Sequence, residues 1–361
     1  MTTQRYLPPS ALNPFLEGLP QTVSKRIIGK SVKGLPIHLL TIGTGNTKIL
    51  MWSQMHGNES TTTRALLDLI PWFLKLSQAQ LQKTFTLSII LQLNPDGAKA
   101  YTRLNANDVD LNRDAIDLTQ PESVALQDLY QEVNPDYCLN LHGQRTIFSA
   151  GKMGKTASLS FLAPSADLER SITPSRKKAM QLIVALKRAL EKELPEQIGR
   201  YDDAFNPNCV GDKFTQMGTP TILFEAGHVP NDYQREITRK YIFESYKTLL
   251  YTLFSNDFEY TTNEYFDIPE NAKDYVDLIV SGVTIRNNNE SLVNQQLAIQ
   301  YEEKLDGDAV VFLPVMQFFA TQLPLKAHKS ITLPGELKNK EISFEKGEII
   351  QNEDFERLLS I

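Results

Sequence analysis

His56 and Glu59 form an HxxE pair directly after the apolar run KILMWSQM (48–55). His142 closes a second apolar run, YCLNLH (137–142), and Glu225 lies within a third, TPTILFEAG (219–227). A turn at a strand-to-helix junction can aim an imidazole and a carboxylate at one point. A histidine at the end of another strand can supply a third ligand. Two His and one Glu leave the fourth position of a tetrahedral site open to water, as a hydrolytic zinc centre requires. The same residues also carry a purely structural reading, with His56 a hydrogen-bonded strand-end imidazole and Glu59 a first-turn carboxylate favoured by the helix dipole. Taken alone, the pair does not choose between the two.

The composition narrows the search. The chain has 361 residues, five histidines and two cysteines. Cys138 and Cys209 form no CxxC, so they build neither a thiolate zinc site nor a disulfide framework. Any metal site must use carboxylates and histidines drawn from His38, His56, His142, His228 and His328. A formal net charge of −6 with no block of Lys or Arg argues against nucleic-acid and membrane-surface partners. The N-terminal MTTQRYLPPSALNPF lacks a charged stretch followed by an apolar run, so no secretory signal is expected. No segment reaches the ~20 apolar residues of a membrane span, and a cytoplasmic location is the expectation.

These residues need elements to position them. Residues 1–30 are polar and proline-rich and read as a surface segment. IHLLTIG (37–43) and KILMWSQM (48–55) read as strands, the second apolar enough to be central and buried on both faces. Residues 60–78 have helical spacing, with Pro71 expected to kink or split the helix. TLSIILQLN (86–94) reads as a strand ending in the turn-like Asn94-Pro95-Asp96-Gly97. Helices are expected over 121–133, 172–194 and 230–254, and strands over 137–142 and 219–227. The alternation implies an α/β fold with a mixed, largely parallel sheet flanked by helices, spanning residues 1–258. From residue 262 to 361 the strand-like runs DYVDLIVSGVTI, QLAIQYEEKL, DAVVFLPVM and EISFEKGEII suggest a smaller β-rich C-terminal domain. Residues 287–290, Asn-Asn-Asn-Glu, look like a hairpin loop, and His328, in the polar KAHKS, looks exposed.

Strand ends in an open α/β sheet converge on its ligand site, and four of them here are polar clusters. They begin at His56, Asn94, His142 and Glu225. HGNE, NPDG, TRLNANDVDLNRD, LHG and FE, in this order and spacing, resemble the M14 zinc carboxypeptidases (carboxypeptidase A-like) across about residues 35–255. The resemblance implies one zinc ion per chain, held by His56, Glu59 and His142. It makes Glu225 the general base and Arg103 the cation that steadies the developing oxyanion. Asn112 and Arg113 would hold the substrate's terminal carboxylate, and Asp110 would receive the second N–H of His56. Each of these also has an ordinary alternative: Glu225 a salt-bridged strand-end residue, Asp110 a loop-turn residue, and the two arginines solvated surface charges.

The match is not complete. Asn140 stands where many relatives have Asp, two residues before the third ligand. Tyr201 lies in about the interval of the family's mobile tyrosine but at poor spacing, and reads as an ordinary surface residue. Gly211 and Asp212 fall in a region that lines the side-chain pocket of relatives. Arg145 and His228 flank the site without an assigned role.

The resemblance therefore implies a zinc metallopeptidase of carboxypeptidase type. Its substrate would be a peptide or N-acyl amino acid with a free carboxylate. Two alternatives keep the machinery and change the substrate: an N-acyl amino acid deacylase of the succinylglutamate desuccinylase/aspartoacylase kind, which also carries a β-rich C-terminal domain, and a cell-wall peptide amidase. A non-catalytic binding relative is a further reading, opposed by the presence of the full residue set. Side-chain preference and oligomeric state are not encoded in any motif of the chain.

Overall fold

The computed structural model describes residues 5–256, 258–287, 290–333, 341–342, 347 and 349–350. An eight-stranded mixed sheet forms its centre. Its strands are β1 (Ser24–Lys30), β2 (Pro36–Ile42), β3 (Thr47–Ser53), β4 (Phe85–Ile90), β5 (Tyr137–Gly143), β6 (Leu159–Leu162), β7 (Ile198–Arg200) and β8 (Thr221–Ala226). Their order across the sheet is β1-β2-β4-β3-β5-β8-β6-β7. The four central strands β4, β3, β5 and β8 run parallel, and antiparallel pairs occur only on either side of them. Parallel central strands end on the same edge, which brings the ends of β3, β5 and β8 together.

Strand alternation sorts the apolar side chains into two layers. Ile49, Met51, Leu139, Leu141, Ile222 and Phe224 pack with helices α2 (Ser60–Phe73), α6 (Pro174–Leu190) and α8 (Glu236–Ser255). Leu50, Trp52 and Cys138 face the other way. They pack on α5 (Pro121–Val133) and on Val210 and Phe214 of the short helix Val210–Gln216. The order of elements agrees with the α/β expectation.

Several local expectations differ. Residues 1–30 are not simply a surface segment. Leu12 and Leu16 of α1 (Pro9–Glu17) are buried, and β1 pairs with β2 as an exposed edge strand. Pro71 does not split α2, which continues to Phe73 although proline has no N–H to give to Leu67 O. The Asn94 cluster is not a turn. Asn94 caps a short helix, Pro95–Ala100, its side chain accepting from Gly97 N at 2.8 Å.

The chain beyond residue 262 builds a second sheet from β9 (Tyr275–Asn287), β10 (Glu290–Asp306), β11 (Ala309–Ala320), β12 (Lys326–Thr332) and the bridge-like Glu341–Ile342. Its own core contains Leu278, Val280, Leu297, Ile299 and Met316. The tip of the expected 287–290 loop and most of EISFEKGEII lie outside the described residues. His328 is not exposed. It lies on β12, stacked on Tyr275 and edge-on to His228, with Nε2 2.7 Å from Thr146 O.

Candidate metal centre and its cavity

His56 follows β3, Glu59 immediately precedes α2, and His142 is the penultimate residue of β5. One donor atom from each lies within 4.8 Å of the others. The two Nδ1 atoms stand 3.1 Å apart, with Glu59 Oε1 2.9 Å from that of His56 and Oε2 3.1 Å from that of His142. Gly143 N donates to Glu59 Oε2 at 2.9 Å and fixes the carboxylate against the end of β5.

The other nitrogen of His56, Nε2, lies 2.9 Å from Asp110 Oδ1. Both ring nitrogens of His56 thus face carboxylates, and with the N–H on Nε2 toward Asp110, Nδ1 would present its lone pair toward Glu59 and His142. Two lone-pair nitrogens and a carboxylate so close together repel unless a proton or a cation sits between them. This donor set is the imidazole and carboxylate chemistry that zinc prefers, and His142 turns its Nδ1 to the other two donors while its Nε2 is buried with no partner. Asn140, on the same face of β5, likewise has both amide atoms buried without partners.

Around this centre lies a cavity of about 930 Å³ whose walls include Arg103, Asn112, Arg113, Tyr201, Asp212 and Glu225. Arg103 donates to Asp110 Oδ2 at 3.0 and 3.2 Å and to Glu59 Oε1 at 3.3 Å, so it is fastened beside the ligands while half exposed to the cavity. Burial would raise the Asp110 carboxyl, but the His56 hydrogen bond and the Arg103 charge outweigh it and hold it below the usual carboxylate range. Arg113 donates to its neighbour's Asn112 O at 2.7 Å and to Cys209 Sγ at 3.0 Å, while Asn112 Oδ1 accepts from Val210 N at 3.1 Å. Both therefore approach from the side of the Val210–Gln216 helix.

Glu225 stands directly opposite His142 in the β5–β8 ladder. Its Oε2 is buried with no partner. Burial, then the like charge of Glu59, pushes its carboxyl well above the usual range against the pull of Arg103. Such a carboxylate is a stronger base than one in water.

The Peptidase_M14 family, zinc carboxypeptidase, matches residues 10–206. The chain belongs to the zinc carboxypeptidases. Among relatives of this chain, Carboxypeptidase SOL1 of Arabidopsis thaliana is 33% identical over 137 residues, 32% of this chain and 28% of that one. Gamma-D-glutamyl-L-diamino acid endopeptidase 1 of Lysinibacillus sphaericus is 26% identical over 197 residues, 38% of this chain and 48% of that one. The chain thus spans less than half the length of either curated relative. A metallo-carboxypeptidase from Burkholderia cenocepacia shares the fold, with a TM-score of 0.54 at 18% identity over 71% of each chain.

Tyr201 departs from the surface reading. It lies in the cavity wall, tilted 5.3 Å from Phe148, and burial, followed by the charges of Glu225 and Glu59, raises its hydroxyl. Arg145, Gly211 and Asp212 line the same cavity, whereas His228 is buried beside Tyr233 and His328. Sequence reasoning missed the far wall altogether. Arg5, Arg235 and Gln300–Glu303 of β10 also line the cavity, and no local pattern marks them. No helix among the described residues is long and apolar enough to cross a membrane.

Proposed function

We propose that this chain is a zinc-dependent carboxypeptidase that hydrolyses the amide bond next to a free C-terminal carboxylate. The observation that carries the proposal is the convergence of His56, Glu59 and His142 on one cavity with Arg113 and Glu225 in its walls. His56, Glu59 and His142 would hold one zinc ion. When bound, zinc lowers the pKa of a water molecule to ≈ 7 and polarises a carbonyl oxygen.

The protein's own groups perform the rest. Arg113 and Asn112 bind the terminal carboxylate, the guanidinium offering it two parallel hydrogen bonds. Arg103 donates to the scissile carbonyl oxygen as negative charge develops there. Glu225 takes a proton from the attacking water on its free carboxylate oxygen and hands it to the leaving amine nitrogen. Asp110 keeps His56 in the tautomer that presents Nδ1. Residues 1–258 would form the catalytic unit and 262–361 a β-rich accessory unit.

A narrower reading concerns substrate size. Gln300–Glu303 of β10 form part of the cavity wall, which favours short substrates over the ends of folded proteins. The similarity to an endopeptidase named for a γ-D-glutamyl-L-diamino acid bond supports short peptides with that linkage as one such class. The zinc-loaded protein should be screened against C-terminal dipeptides, N-acyl amino acids and muropeptides with products read by mass. Glu225→Gln should abolish whichever turnover is found. Undiminished turnover by a folded, zinc-loaded Glu225→Gln protein removes the proposed mechanism.

A further inference from the structure

Four arginines are buried where the second sheet, α2 and the start of α8 meet: Arg5, Arg64, Arg235 and Arg239. Three of them have a carboxylate. Arg5 pairs with Glu303 at 2.6 Å, Arg64 with Glu236, and Arg239 with Asp68 at 2.6 Å. Arg235 has none among the described residues. Its two terminal nitrogens donate to main-chain oxygens, Gln144 O at 3.1 Å and Ala226 O at 3.5 Å. Its Nε is buried with no partner.

The nearby carboxylates are already engaged. Glu303 accepts from Arg5 and, at 2.8 Å, from Tyr101 OH. Asp232 accepts from Glu236 N, Thr238 N and the Thr238 hydroxyl, which anchors the start of α8. Arg235 is 2% exposed, yet it forms part of the cavity wall. Burial, followed by the neighbouring Arg5 charge, lowers its pKa to about 10, so it remains a cation at neutral pH. Glu303 and Asp232 favour the charge from a distance, but a buried cation with no carboxylate in contact is costly, and its place in a binding cavity points to an anion that arrives with the ligand.

Its location identifies the part of the ligand it would meet. Gln144 and Ala226 follow His142 and Glu225 by two residues and one residue, so the Arg235 guanidinium is held against the ends of β5 and β8, next to the residues that line the proposed centre. Asn112 and Arg113 approach the centre from the Val210–Gln216 side, and Arg235 comes from the α8 side. A substrate whose terminal carboxylate is held by Arg113 would therefore direct its acyl portion, past the metal ligands, toward Arg235.

We infer that Arg235 is an anion subsite on the acyl side of the scissile bond, and that favoured substrates carry a carboxylate on the residue that donates the scissile carbonyl. This rests on the carboxypeptidase reading and adds a substrate class to it. Two chemistries fit: an α-linked acidic residue with its side-chain carboxylate, or a side-chain-linked acidic residue with its α-carboxylate free.

The test uses zinc-loaded Glu225→Gln protein, so that binding is read without turnover. Calorimetry compares N-acetyl-Glu-X with N-acetyl-Gln-X, and γ-glutamyl-X with γ-aminobutyryl-X, where X runs over the common amino acids. At least one acidic series should bind more tightly than its neutral partner by on the order of 10- to 100-fold, the range of a charge-assisted hydrogen bond. Adding Arg235→Gln should bring that ratio close to one. Should that variant not fold, Arg235→Lys replaces it, and a partial fall in the ratio is expected. A ratio near one in the protein with Arg235 intact overturns the subsite alone, as does an acidic preference that survives either substitution unchanged. Failure of every series to bind overturns the carboxypeptidase reading and the subsite with it.

Discussion

His56 Nε2 and Asp110 Oδ1 are 2.9 Å apart, although the two residues are 54 positions apart in the chain. The same carboxylate receives Arg103 on its other oxygen and Asn112 N on the first. Asp110 thus orients a proposed metal ligand, a proposed oxyanion donor and the loop that carries the proposed carboxylate dock. Asp110→Asn keeps the shape but removes the charge that accepts the imidazole proton. Zinc affinity, measured by competition with a chelator, should fall roughly 10- to 100-fold. An unchanged affinity would mean that the hydrogen bond does not govern how His56 binds.

Occupancy of the centre should also appear as stability. A ligand that binds only the folded state stabilises it by about 4 kcal/mol at a thousand times its Kd. Zinc should raise the melting temperature of chelator-stripped protein, and His56→Ala or His142→Ala should abolish that rise. A protein that takes up no zinc and shows no shift would instead support a non-catalytic relative.

The residues at the ends of β3, β5 and β8 were legible because each closes a run of buried apolar side chains, where a polar residue stands out. β1 was not legible, since it is an edge strand with Ser24–Ile27 exposed and has no alternating pattern to read. The seven-residue helix Val210–Gln216 is too short to show a periodicity. The wall opposite the carboxylate dock was hidden for a different reason. The Arg5–Glu303 pair joins residues 298 positions apart, and nothing local in either segment announces the other. Tyr201 and His328 read as surface residues because they are covered by partners distant in sequence, Phe148 for Tyr201 and His228 and Tyr275 for His328.

Gly57 explains why HGNE needs its glycine. A Cβ added there would stand 2.0 Å from Gly97 C and 2.2 Å from Ala98 N. The turn carrying His56 and Glu59 is therefore pressed against the helix capped by Asn94, backbone to backbone. Gly57→Ala should cost about 1–3 kcal/mol of stability, a typical overpacking penalty. It should also weaken zinc binding, because the strain falls on the segment between two ligands. Denaturant unfolding with and without zinc separates the two effects.

Asp212 should give the fold a distinctive pH dependence. Burial raises its carboxyl to about 7, against an unfolded value of about 3.9. Between these values the folded state holds a proton that the unfolded state has lost, so stability falls as pH rises from 4 to 7. Asp212→Asn removes this contribution. The stability of the variant relative to the original protein should increase across that window, by an amount on the order of 4 kcal/mol for a shift of this size. Denaturant titrations at pH 4, 5.5 and 8 give the answer, and a difference that is flat with pH would rule out Asp212 as the source.

Arg113 makes the sharpest functional prediction. Its guanidinium reaches Cys209 Sγ and a main-chain oxygen, and no carboxylate among the described residues competes for it. A substrate carboxylate can therefore occupy its remaining donors. Arg113→Ala should raise KM by on the order of 10- to 100-fold for substrates with a free C-terminus. The loss should be much smaller for C-terminally amidated analogues, which the original protein should turn over poorly. Arg113→Lys keeps the charge but loses the two-pronged geometry, so it should recover only part of the affinity. If free and amidated substrates suffer equally in Arg113→Ala, the arginine supports the Cys209 loop and the carboxylate is bound elsewhere.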